Sequence, residues 1–148
     1  MSTNELIVFF ERDLKKLITE IELYKNEKNI WRVADTIFNS TGNLALHLVG
    51  NLHTFIGKEI GKTNYIRNRD LEFSEKNIPR QQLINSINDT IKMIKDSLAS
   101  LSNEELKKDY PVLKFEKVET TEYLLFHLAT HLNYHLGQVN YHRRLLDK

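Results

Sequence analysis

The segment Pro79-Arg80-Gln81-Gln82-Leu83-Ile84-Asn85-Ser86-Ile87-Asn88-Asp89-Thr90-Ile91-Lys92-Met93-Ile94-Lys95-Asp96-Ser97-Leu98-Ala99-Ser100-Leu101 decides the fold class. Its apolar residues Leu83, Ile87, Ile91, Ile94, Leu98 and Leu101 recur at steps of four, four, three, four and three, the period of an α-helix burying one face. Pro79 suits the first turn, where a missing N–H costs nothing.

Working outward, the same period returns three times. Ser2 and Glu5 offer a capping box ahead of a stripe at Ile7, Phe10, Leu14, Leu17, Ile21 and Tyr24, and the polar run Lys25 to Asn29 ends it. The stretch Ile30 to Asn39 is less regular and suits a short helix. Ser40 or Thr41 then caps a second long helix from about Gly42 to Ile56, carrying Leu44, Leu48, Leu52 and Phe55. Ser102 with Glu105 predicts one further turn, which Pro111 breaks, and Val112 to Val118 reads as an irregular or briefly extended link. Thr120 caps the last helix, which runs to about Leu146 with Glu122 at its positive end and Arg143 and Arg144 at its negative end.

Between Gly57 and Ile78 the period fails and charges crowd together. That is long for a connection inside a compact domain, and it reads as a crossover or a loop covering a site. The expectation is an all-α four-helix bundle forming a single domain, 1–148, with a long crossover between helices two and three. Strict up-down-up-down order does not fit so long a connection.

Lysine and arginine number 21 against 20 acidic residues, so no charge excess argues for nucleic acid. The basic stretch Lys58 to Arg69 contains Glu59 and leads into Asp70 and Glu72, as a solvated loop would. Cysteine is absent, which excludes disulfides, thiolate ligands and a cysteine nucleophile; a metal would have to take nitrogen or oxygen. The run Leu6-Ile7-Val8-Phe9-Phe10 is too short for a signal-peptide core or a membrane span, so a cytoplasmic protein with no membrane partner is expected.

Chemistry is argued for only by histidines. His131 and His135 stand four apart, which on a helix puts two imidazoles on one face about 6 Å apart along the axis, able to grip one divalent metal. His47, at the edge of the apolar stripe of the second helix, could complete a three-nitrogen site from across the bundle. His127 and His131 have the same spacing, and geometry alone does not choose between the two pairs. His53 lies about 120° round the helix from His47 and reads as a packing or surface residue, and His142 as a hydrogen-bonded or solvent-facing one. The bland alternative is a set of interior-edge histidines satisfied by hydrogen bonds.

The segment His131-Leu132-Asn133-Tyr134-His135-Leu136-Gly137-Gln138 resembles the C-terminal signature of the DinB-like superfamily, damage-inducible metal-dependent bundle proteins related to bacillithiol- and mycothiol-dependent transferases. Asn39 to Leu52, with its single histidine, is similar to that superfamily's second helix. Tyr65, Arg67, Asn68, Arg69, Asp70 and Phe73 resemble the loop between helices two and three in one branch. The resemblance spans essentially the whole chain. It implies a DinB-like four-helix bundle, a homodimer, and metal binding by His47, His131 and His135.

Three neutral imidazoles leave coordination positions free, unlike a closed structural zinc site. The resemblance implies a divalent metal, zinc or nickel, in a metal-dependent hydrolase or a transferase using a low-molecular-weight thiol. The alternative is a non-catalytic metal-binding or stress-related dimer. Leu132, Asn133 and Tyr134 separate the paired histidines, so the glutamate base of zinc proteases is missing and no catalytic residue is assigned. Gln138 and Tyr134 stand near enough to hydrogen-bond a histidine or a ligand.

Overall fold

Four long helices carry the core in a computed structural model that describes residues 2–148. They are α1 (Thr3–Leu23), α2 (Thr41–Leu52), α4 (Arg80–Leu98) and α6 (Thr121–Leu146), with α3 (Arg69–Ser74) and α5 (Asn103–Leu106) as short helices in the connections. No strand occurs among the described residues, only two isolated bridges. An all-helical chain with four long elements sharing a core is compatible with a four-helix bundle.

The predicted caps form. The Ser2 hydroxyl accepts from Glu5 N–H while Glu5 accepts from Ser2 N–H, and Ser102 with Glu105 repeats the arrangement at α5. Ser40, not Thr41, opens α2 by accepting from Asn43 N–H, and Thr120 opens α6 by accepting from Tyr123 N–H. Such a side-chain acceptor is worth about 1 kcal/mol to a helix start.

Polar pairs between helices fix their directions. Asn133 donates to Asp13 and Asn140 to Glu20, so α1 and α6 run parallel. Lys95 meets Glu11, and Arg80 donates to the Tyr24 carbonyl, so α4 runs against α1. Thr41 meets Tyr24 beside His142, while His47 reaches His131, so α2 runs against α6. Helices α2 and α4 therefore run the same way, and residues 59–79 must return the chain from one end to the other. The long crossover follows from that order.

Three details differ from the periodic reading. The core face of α1 begins at Leu6, with Ile7 only half-buried, and Asp13 is buried within it. The second helix stops being α-helical at Leu52 and widens into a π turn over His53–Lys58. One extra residue per turn rotates the face, so Ile56 is fully buried and Phe55 only partly. The third long helix ends at Leu98, leaving Leu101 half-buried in the turn that follows.

His142 is buried, not solvent-facing. Its Nε2–H donates to the Arg32 carbonyl, so Nδ1 accepts from the Tyr24 hydroxyl, which in turn accepts from Thr41. Every polar atom of this neutral relay has a partner, which is what makes its burial tolerable.

Two outcomes follow. Ile87 is 0% exposed, and Ile87→Ala should lower unfolding free energy by about 2–5 kcal/mol; a loss under about 0.5 kcal/mol in a urea melt would mean α4 is not packed as described. Burial lowers the His142 pKa, so the unfolded chain takes up this proton below about pH 6.5 while the folded chain resists it. Stability from His142 is thus complete above about pH 6.5 and lost as the pH falls. Between pH 7 and 5, His142→Gln should show a shallower fall in stability than wild type; equal slopes would contradict the relay.

Candidate metal centre

Helices α2 and α6 bring His47, His131 and His135 together. His131 Nε2 lies 3.3 Å from His47 Nε2 and 3.1 Å from His135 Nε2. One ring nitrogen from each of the three lies within 4.8 Å of the others, and the group could hold a metal ion. Bonds of about 2.1 Å set nitrogens about 3.4 Å apart at a tetrahedral centre and about 3.0 Å apart at adjacent octahedral positions. The spacings fall in that range and do not choose between the two.

The outer nitrogens decide what the inner ones offer. His47 Nδ1 is 3.1 Å from Glu72 Oε1, and His135 Nδ1 is 2.6 Å from Gln138 Oε1. Each oxygen can only accept, and at His47 the Glu72 contact is shorter than the 3.4 Å approach of the donor-only Arg67 Nη2, so each Nδ1 carries the proton and each Nε2 presents a lone pair. A neutral His131 has one proton to give and can satisfy only one of its two short N···N contacts. The other sets lone pair against lone pair unless a cation stands between them. The donor set fits a divalent metal.

The same His131 has a buried Nδ1 with no hydrogen-bond partner. Its pKa is pushed down to about 4, by burial first and then by the neighbouring His135 and His47. His47 is lowered too, chiefly by burial, with the Glu72 carboxylate working in the opposite direction. Both are neutral at physiological pH, the form in which imidazole coordinates.

Glu72, on α3, is the residue the sequence did not single out. It is buried, and Arg67 grips it in a fork, Nε to Oε2 at 2.8 Å and Nη2 to Oε1 at 3.0 Å. The charge-dense loop thus delivers a carboxylate against the back of a histidine, the arrangement that orients and strengthens metal-ligating imidazoles. Gly50, one turn beyond His47 on α2, makes room: a Cβ there would overlap the Glu72 carboxylate. In the sequence, Glu72 was one acid among many charges with no periodic neighbour to mark it.

The other predicted residues fall elsewhere. His127 stacks on His131 with ring centroids 6.3 Å apart, outside the convergent group. His53 faces Thr90 and the Tyr65 ring, as a packing residue. Tyr134 is exposed with its ring beside His135, and of the two candidates only Gln138 hydrogen-bonds a histidine. Gln138 also lines a cavity of about 310 Å³ together with Phe38, Leu44, Tyr141 and Leu145, and His47, His131 and His135 are not among its lining residues.

No helix among the described residues is long and apolar enough to cross a membrane. No curated protein matches the chain. Residues 4–148, from the second residue of α1 to the C-terminal lysine, match the family described as Protein of unknown function (DUF1572), and the chain belongs to that family.

Proposed function

We propose that this chain is a DinB-like four-helix-bundle protein whose His47, His131 and His135 bind a divalent metal, zinc or nickel, and leave positions on it free for a small molecule. One observation carries the reading: three Nε2 atoms converge from two helices, two with their lone pairs fixed by Glu72 and Gln138. Such a metal supplies Lewis acidity and eases deprotonation of a bound water or thiol.

The chain's own part is to hold the imidazoles neutral and aimed. Glu72, pinned by Arg67, orients His47; Gln138 orients His135; burial suppresses the proton on His131. A chain without cysteine must take any thiol from solution. These features support a metal-dependent enzyme, either a low-molecular-weight thiol S-transferase or a hydrolase, acting on a substrate of unassigned structure. The homodimer implied by the resemblance and the cytoplasmic location expected from the sequence belong to the same reading.

A specific observation favours a second reading. The buried carboxylate beside the centre, Glu72, is occupied by Arg67 and His47, and among the described residues no other carboxylate pairs with the three histidines to act as a general base. A non-catalytic metal-binding protein would need none.

Metal titration by calorimetry tests the site, and thiol-dependent conjugation by the loaded protein separates the two readings. His47→Ala, His131→Ala and His135→Ala should each abolish tight stoichiometric binding at pH 7.5, whereas His53→Ala and His127→Ala should leave it. Protons compete with metal only at an imidazole below its own pKa. Because His47 and His131 are lowered, affinity should stay nearly flat down to about pH 6.5 and then fall with fewer than three protons per metal. Undiminished binding by His47→Ala, or a full three-proton slope between pH 7 and 5.5, would contradict the site as described.

A further inference from the structure

Lys114 lies in the irregular link before α6, half-buried, with its ammonium 4.2 Å above the Phe55 ring and 5.8 Å from the Phe115 ring. Among the described residues no carboxylate lies within ion-pair distance of it. Burial lowers its pKa, and the positive charges of Arg67 and Arg69 lower it further. Phe115 sets its ring edge-on to His127, 4.8 Å away, and His127 stacks on His131. The Lys114 charge accordingly bears on both His127 and His131.

The local arithmetic is lopsided. Glu72 compensates Arg67, while among the described residues Lys114 has no anionic partner. The whole chain carries a formal charge of only +1, so this excess is a placement of charge beside the histidines and not a general basic bias. Partial burial disfavours the ammonium; the Phe55 and Phe115 ring faces offset part of that cost, and a bound anion would offset more.

We propose that Lys114 forms an anion-binding rim on the His127 side of the three-histidine centre. Resting on the metal reading above, this means that the small molecule handled there carries a carboxylate or phosphate group. Lys114 provides a charge-assisted hydrogen bond to that group, holding it while the molecule's other end faces His47, His131 and His135. The same positive field would raise the local concentration of an anionic molecule and weaken with salt.

The test uses the full-length metal-free protein at low ionic strength, titrated in separate arms with inorganic phosphate and with succinate by NMR. Wild type should bind at least one of them, and the tighter arm identifies the group. Lys114→Gln should weaken that binding by about five- to tenfold, Lys114→Arg should retain it, and the remote Lys28→Gln should not change it. No binding by wild type, a Lys114→Gln affinity within twofold of wild type, or an equal loss in Lys28→Gln would each overturn the proposal. His131→Ala keeps the two readings apart. Anion binding that survives there while metal binding is absent from every protein would sink the metal site alone; intact metal binding without dependence of anion binding on Lys114 would sink the rim alone.

Discussion

Glu72 accepts the Nδ1–H of His47 with Arg67 forked onto the same carboxylate, and this buried contact joins the crossover to the second helix. Much of the site follows from it. It keeps α3 against α2, requires glycine at position 50, and turns the Nε2 lone pair of His47 toward α6. Breaking one partner of a buried ionic group typically costs about 3–5 kcal/mol, because the others are left desolvated and unpaired. The contact is therefore at once a tether for the loop and a determinant of what the site can bind.

Helix α6 is where the remaining constraints meet. Along its length it supplies Asn133 and Asn140 to α1, His131 and His135 to the centre, Gln138 to hold His135, and His142 to the relay through Tyr24 and Thr41. A helix that satisfies polar partners on α1 and α2 has little freedom to slide or rotate. Its apolar face, with Leu125, Leu128 and Leu132 fully buried, supplies the adhesion, and the polar pairs set the register. Positioning of His131 and His135 against His47 is a consequence of that register.

The helices were legible because burying one face of a helix leaves a period of three to four in the chain, and α4 shows it without interruption from Leu83 to Leu98. The caps were legible for an equally local reason: an unpaired N–H needs a side-chain acceptor within three residues. The convergence of His131 with His135 could be read from spacing, but the choice of that pair over His127 rested on resemblance. What could not be read were the contacts closed by the crossover. Glu72 reaches His47 across 25 residues of chain, with a spacing that no period dictates. The π turn after Leu52 was hidden for a related reason, since it changes the face of Ile56 without changing the composition. The sequence left His142 between a hydrogen-bonded and a solvent-facing role, because the partners that settle it, Tyr24 and Arg32, are more than a hundred residues away.

The central claim is that three Nε2 atoms, one from α2 and two from α6, face a single cation and leave it open. X-ray absorption at the zinc edge of the stoichiometric zinc-loaded protein measures that directly. The account predicts three imidazole ligands at about 2.0–2.1 Å with at least one additional light-atom ligand, and two imidazoles at most in His47→Ala. A spectrum with two or fewer imidazoles in the wild type, or one unchanged by loss of His47, would contradict it.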